Sequence, residues 1–167
     1  MIEINALPNI CTGGNLLFGV LAIAAVFNHN YVLATVLIIL AAILDRLDGY
    51  LARRYNSSSD FGRELDSLAD LVSFGVAPSV MLYAALAEKW HLLGLVGFAF
   101  FVLCGAFRLA RYNISGSTDH FRGLPITAGG TTLAILMVLF FHNPPVILVA
   151  SVIIALAMIS SIPIPRI

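Results

Sequence analysis

Long apolar runs separated by short polar breaks are the feature that most constrains how this chain folds. Hydrophobic residues make up 60% of its 167 residues and charged residues only 11%, whereas a soluble domain carries about 25% charged residues. A helix needs about 20 apolar residues to cross the hydrocarbon core of a bilayer, so the length allows at most about six or seven spans. The composition therefore predicts an all-α integral membrane protein without a separate soluble domain.

Six apolar runs are long enough to be transmembrane helices. The breaks after the first, third and fifth runs are very short, which predicts that these neighbours form tight antiparallel hairpins. We expect the whole chain, residues 1–167, to form a single membrane domain. The six predicted spans are Ile10–Phe27, Tyr31–Ala52, Asp66–Ala87, His91–Ala110, Pro125–Phe141 and Val146–Ile162.

The basic residues lie almost entirely on one side of this predicted bundle. Lys89 alone falls on the opposite side. Because cytoplasmic loops carry the excess of Lys and Arg, the basic side is predicted to be cytoplasmic, together with both termini. The arginines on that side are Arg46, Arg53, Arg54, Arg63, Arg108, Arg111, Arg122 and Arg166.

Four aspartates lie at the cytoplasmic ends of the second and third predicted spans. On ideal helices, Asp45 and Asp48 are about 60° apart on one face, and Asp66 and Asp70 are about 40° apart on the next. Carboxylates at a membrane are costly and mark a functional site by default. If the two faces meet, a hard cation such as Mg²⁺ or Mn²⁺ is the expected compensation, because oxygen-only ligands favour it. The cluster holds no histidine or cysteine, which argues against zinc.

Small residues and an arginine accompany the acids. Gly49 and Ala52 share the face of the first acid pair and leave room for a bulky ligand, and Gly62 precedes the second pair. The planar guanidinium of Arg53 suits a phosphate. Together these residues indicate phosphoryl transfer, in which metals neutralise charge and align the reacting groups. The alternatives are an ion-pair network with neighbouring arginines and a transporter that uses the acids as a relay.

The acid-bearing run also matches the signature of a known family. It fits the pattern D-x-x-D-G-x-x-A-R-x(8)-G-x-x-x-D-x-x-x-D at every defined position, and the chain thereby resembles the CDP-alcohol phosphatidyltransferase family. That family is similar in layout, with six helices, cytoplasmic termini and a site at the cytoplasmic ends of the second and third helices. The residues that fill the pattern are Asp45, Asp48, Gly49, Ala52, Arg53, Gly62, Asp66 and Asp70.

The resemblance implies that an alcohol hydroxyl displaces CMP from a CDP-linked lipid, with a divalent cation as cofactor. No cysteine or histidine accompanies the acids as a spare nucleophile, which predicts direct transfer in one step. It implies that Asp45, Asp48 and Asp66 hold the metal, and that Asp70 is a further ligand or the base that takes the acceptor proton. Asp66 and Asp70 are thus the expected catalytic residues. It also implies a homodimer in the cytoplasmic membrane, with its site facing the cytoplasm and no nucleic-acid partner. The implied CDP-lipid pocket contains Gly49, Ala52, Arg53 and Gly62.

Three segments of the chain beyond the two acid pairs indicate the acceptor alcohol. The segments GRELDSLADLVSFGVAPS, CGAFRLARYN and FRGLPITAGG resemble the branch of the family that transfers to L-serine. Arg108, Arg111 and Arg122 are then expected to bind the serine carboxylate or the lipid phosphate, unless they are only topology anchors. Asn15, at the inner end of the first span, is expected to contact the CDP-lipid or to hydrogen-bond between helices. The nearest alternative is a sister enzyme that uses glycerol 3-phosphate or inositol phosphate.

Overall fold

The computed structural model describes residues 6–55, 59–115, 121–160 and 163–164 of the chain. Nearly all of these residues are helical, which confirms the all-α prediction for the described part. Two short strands, Phe121–Arg122 and Pro163–Ile164, pair antiparallel. The helices are α1 (Ala6–Phe27), α2 (Tyr31–Arg54), α3 (Asp60–Asp70), a π-helical segment (Leu71–Val76), α4 (Ala77–Ser115), α5 (Ile126–Leu139) and α6 (Pro144–Ile159).

Two helical stretches are long and apolar enough to cross a membrane by length and composition. They are Leu7–Phe27 and the continuous stretch Asp60–Ile114, while α5 and α6 are shorter apolar helices. Large apolar side chains remain exposed on the outside of the bundle, with Phe27 76% and Leu92 71% exposed. Because a soluble protein rarely leaves so much apolar surface in water, the architecture is consistent with a membrane protein.

The predicted hairpin at Trp90 is present inside α4. Trp90 has non-helical dihedral angles (φ −134°, ψ 53°), and the chain reverses there. A Cβ added at Gly94 would lie 3.0 Å from the Cβ of Leu86, and the hydroxyl of Tyr83 hydrogen-bonds Nδ1 of His91 at 3.1 Å. The two arms of α4 therefore pack antiparallel, as the short polar break predicts.

The start of the third predicted span differs from the structure. We expected this span to begin at Asp66, but α3 begins at Asp60 and is capped by Ser59, whose side chain accepts a hydrogen bond from the backbone N–H of Gly62. The sequence predicts that Ser59 or Asp60 caps the helix that runs into Asp66, because both residue types are preferred at N-caps, and the structure confirms Ser59. The first turns of α3 are polar, so a search for apolar residues leaves them out although they are helical.

Two glycines bring α1 and α5 directly onto the π-helical segment. A Cβ at Gly19 of α1 would overlap the side chain of Ser73, and a Cβ at Gly130 of α5 would overlap the backbone carbonyl of Phe74. The segment follows Asp70 without interruption. This close packing therefore fixes the helix end that carries the fourth aspartate.

Candidate active site

The structure brings three of the four aspartates together between α2 and α3. Asp45, Asp48 and Asp66 each offer a carboxylate oxygen, and these three oxygens lie within 4.8 Å of one another. Asp70 lies one turn beyond Asp66, is buried, and comes within hydrogen-bonding reach of Asp45. The four carboxylates thus converge from two helices on one small volume.

Neutral side chains hold three of these carboxylates from outside the cluster. Thr12 of α1 donates to Oδ2 of Asp48 at 2.8 Å, and Nδ2 of Asn15 donates to Oδ1 of Asp70 at 3.1 Å. The third donor is the hydroxyl of Thr127 in α5, which lies 3.2 Å from Oδ2 of Asp45. Hydrogen bonds of this kind orient carboxylates and leave their other lone pairs free.

These residues fit a hard divalent cation. The donors are carboxylate oxygens, which suit Mg²⁺ and Mn²⁺. Oδ1 of Asp66 is buried and has no hydrogen-bond partner among the described residues, although such an atom normally costs free energy unless something binds it. A cation held by Asp45, Asp48 and Asp66 would satisfy it and offset the repulsion between the acids.

A cavity of about 820 Å³ opens in front of the acids. All four aspartates contribute to its wall, together with four arginines. Gly49 and Arg53 lie side by side there, since a Cβ at Gly49 would lie 3.5 Å from a guanidinium nitrogen of Arg53. A cavity that combines this charge with a few aliphatic residues suits an anionic, partly apolar ligand. The lining arginines are Arg46, Arg53, Arg63 and Arg108.

Three residues predicted for the CDP-lipid pocket lie outside the cavity lining. Asn15 is fully buried behind Asp70. At Gly62 an added Cβ would lie 3.1 Å from Oδ1 of Asn9, so this glycine permits the close approach of α1 and α3. Ala52 is half-buried on α2. Their predicted contact with the CDP-lipid stays a prediction.

The three arginines predicted for the acceptor have different surroundings. Arg108 lines the cavity, is buried, and its Nε has no hydrogen-bond partner among the described residues. Arg111 instead donates to the backbone carbonyls of Ile159 and Ser160, each at 3.1 Å, at the end of α6. Such contacts satisfy helix-end carbonyls. The side chain of Arg122 lies outside the described residues, so its role stays a prediction.

Several polar residues of the site were not predicted from the sequence. Thr127 contacts Asp45, and Ser67 and Asn113 line the cavity, where Nδ2 of Asn113 donates to the hydroxyl of Ser67 at 3.0 Å. These three residues could have been sought as polar residues close to the acids in sequence or at the same predicted depth in the membrane. Thr127 is the third residue of the segment PITAGG, near the cytoplasmic end of its predicted span.

Comparisons with known proteins agree with this geometry. The family described as CDP-alcohol phosphatidyltransferase matches residues 5–163. The chain is 38% identical over 163 residues to a Bacillus subtilis protein named CDP-diacylglycerol–serine O-phosphatidyltransferase, covering 97% of this chain and 91% of that protein. It is 34% identical to the archaetidylserine synthase of Methanothermobacter thermautotrophicus, covering 97% and 70%. A Helicobacter pylori protein with the same name as the first is 40% identical, covering 79% and 57%. The chain belongs to the CDP-alcohol phosphatidyltransferase family.

Proposed function

We propose that this protein transfers a phosphatidyl group, or its ether-lipid counterpart, from a CDP-activated lipid to L-serine and releases CMP. The observation that carries the proposal is the cluster of converging carboxylates in the wall of an arginine-lined cavity. The names of the relatives, which include serine transferases from bacteria and an archaetidylserine synthase, support serine as the acceptor.

The four aspartates have different roles in this proposal. Asp45, Asp48 and Asp66 would hold the divalent cation, Mg²⁺ or Mn²⁺, which supplies charge neutralisation and alignment at the phosphates. The serine hydroxyl oxygen forms a bond to the lipid-side phosphorus while the bond from that phosphorus to the CMP oxygen breaks. Asp70, held by Asn15, takes the hydroxyl proton or serves as a further ligand. No cysteine or histidine lines the cavity in the described part of the chain, which supports direct transfer without a covalent intermediate.

The arginines and glycine of the wall bind the substrates in this proposal. Arg53, packed beside Gly49, binds the CDP phosphates, and its flat guanidinium leaves room for the nucleotide. Arg108 binds the serine carboxylate or the lipid phosphate, which would engage its unpartnered Nε. Each arginine is expected to contribute to substrate affinity because it binds a charged group that the substrate already carries before the reaction.

The proposal includes a membrane arrangement. Six spans would place both termini and the cavity at the cytoplasmic face, because the cavity arginines lie at one end of the bundle and Lys89 lies at the Trp90 hairpin at the other. The lipid would enter between helices and serine from the cytoplasm. We also propose a homodimer on the strength of the family alone; cross-linking in native membranes tests it.

The test is CMP release by the purified protein from CDP-diacylglycerol and from CDP-archaeol, with Mg²⁺ or Mn²⁺, with and without L-serine. We expect release to need the metal, serine and Asp66, so an Asp66→Asn variant should lose it. Glu64→Gln is the matched control, since Glu64 is an exposed carboxylate on the same helix that does not line the cavity. CMP release with glycerol 3-phosphate but not with serine would overturn the assignment of serine as the acceptor. Loss of release in the control variant would overturn the assignment of the site.

A further inference from the structure

Helix α5 reaches the acid cluster through one side chain. Thr127 lies in the first turn of α5, is half-buried, and lines the cavity. Its hydroxyl donates to Oδ2 of Asp45, which is on α2 and 82 positions earlier in the chain. Among the hydrogen bonds of the described residues, this is the contact that joins α5 to the four aspartates.

Asp45 has a competing partner in the wall of the same cavity. Arg108 is buried and cationic, and it lies within electrostatic range of Asp45 and Asp70. It forms no ion pair with either, because the only salt bridge among the described residues joins Arg63 and Asp60. Opposite charges attract one another more strongly in a buried site than in water. The position of Asp45 therefore depends on a contact that opposes this attraction.

We propose that Thr127 is a positioning residue that holds Asp45 in the orientation that binds the divalent cation and prevents its pairing with Arg108. The inference rests on the proposed metal-dependent function, but it concerns cation affinity in the absence of substrate. The hydroxyl occupies one lone pair of Oδ2 and leaves the remaining carboxylate lone pairs for the cation. Loss of such an outer contact typically weakens metal affinity or activity about 10- to 100-fold.

The chain offers a closely matched control one turn further along α5. Thr131 also lines the cavity, but its hydroxyl donates to the backbone carbonyl of Thr127 at 2.7 Å and not to an acid. The variants Thr127→Val and Thr131→Val remove the same hydroxyl from the same wall and keep a side chain of nearly the same shape. Thr127→Ser keeps the hydroxyl and is the conservative rescue.

The experiment measures Mn²⁺ binding to each purified variant by electron paramagnetic resonance without substrate, and the Mn²⁺ dependence of CMP release alongside. Thr127→Val should raise the dissociation constant for Mn²⁺ about tenfold or more, while Thr127→Ser and Thr131→Val stay within about twofold of the parent. Unchanged binding in Thr127→Val, or equal weakening in Thr131→Val, would overturn the proposal. Thermal unfolding of each variant identifies any that fail to fold.

A double variant tests the competition with Arg108. Adding Arg108→Met to Thr127→Val removes the competing guanidinium and should recover part of the lost Mn²⁺ affinity. If affinity is not recovered, Arg108 is not the competitor and that part of the inference is wrong. Should the parent protein bind Mn²⁺ yet release no CMP with serine, the proposed function fails while the role of Thr127 is still measured by Mn²⁺ binding.

Discussion

Replacing Gly130 by alanine should separate α5 from the π-helical segment. The added Cβ would lie 2.7 Å from Cα and 2.8 Å from the carbonyl carbon of Phe74, besides overlapping its carbonyl oxygen. These are backbone atoms, which cannot rotate away as a side-chain end can, so one helix must move. Overpacking of this kind costs about 1–3 kcal/mol, and alanine returns only about 1 kcal/mol through its higher helix propensity. We therefore expect a net loss of up to about 2 kcal/mol.

The assay for Gly130→Ala is thermal unfolding in detergent, followed by CMP release from the folded fraction. For a chain of this length, 1 kcal/mol shifts the unfolding midpoint by about 2–4 °C, so a decrease of several degrees is expected. Release should also fall, because α5 carries Thr127 and the segment follows Asp70. The matched control is Gly13→Ala, since a Cβ at Gly13 has no neighbour within 4 Å; it should match or exceed the parent in stability. If Gly130→Ala is as stable and active as Gly13→Ala, the packing argument is wrong.

Three further perturbations test the site. Asn15→Ala should lower the turnover rate about tenfold, equivalent to about 1.4 kcal/mol, because Asp70 loses its donor; Asn15→Asp should be worse through repulsion. Arg111→Leu should lower the unfolding midpoint by roughly 3 °C or more through the loss of two hydrogen bonds to α6, without raising the KM for serine. Removal of divalent cations with EDTA should abolish CMP release and lower the midpoint, because the acids then repel one another; added Mn²⁺ should restore both.

Each of these expectations has a result that contradicts it. Full turnover in Asn15→Ala would show that Asp70 needs no support from α1. A raised KM for serine in Arg111→Leu, with an unchanged midpoint, would move Arg111 from a structural role to the acceptor site. Activity that survives EDTA would remove the cation from the mechanism and leave the clustered carboxylates without an explanation.

The sequence predicts the acids and the hairpins because both depend on local spacing. Helical periodicity alone places Asp45 with Asp48 and Asp66 with Asp70, and a short polar break forces neighbouring helices to reverse. The start of α3 at Asp60 is indicated by the capping residue Ser59 but not by the apolar pattern. Its first turns are polar, and a polar helix at a membrane surface gives no signal in a pattern that counts apolar residues.

The parts of the site that depend on packing between distant helices could not be predicted. The contact of Thr127 has no local signal in the sequence, because Thr127 lies in an apolar run and its partner Asp45 is far away in the chain. Arg108 and Arg111, three residues apart, were both expected to bind the serine carboxylate or the lipid phosphate. In the structure Arg108 lines the cavity and Arg111 contacts the end of α6, because that end lies beside one edge of the α4 surface. The spacing of residues within α4 cannot predict that the end of α6 lies beside it.

The π-helical segment has a consequence for how the chain tolerates insertions and deletions. One extra residue in a turn rotates all the following side chains by about 100° around the helix axis. In an unbroken α-helix Asp70, Ala77 and Met81, which are all buried, would lie within about 40° of one another around the helix axis. The extra residue of the π-helical segment turns Ala77 and Met81 away from the face of Asp70 by about 100°. Deleting a single residue from Leu71–Val76 would return Asp70, Ala77 and Met81 to one helix face. Either the aspartates or the buried face of α4 would then lose its present packing. The stretch Asp60–Ile114 should therefore accept many substitutions at its exposed apolar positions but no deletion within Leu71–Val76.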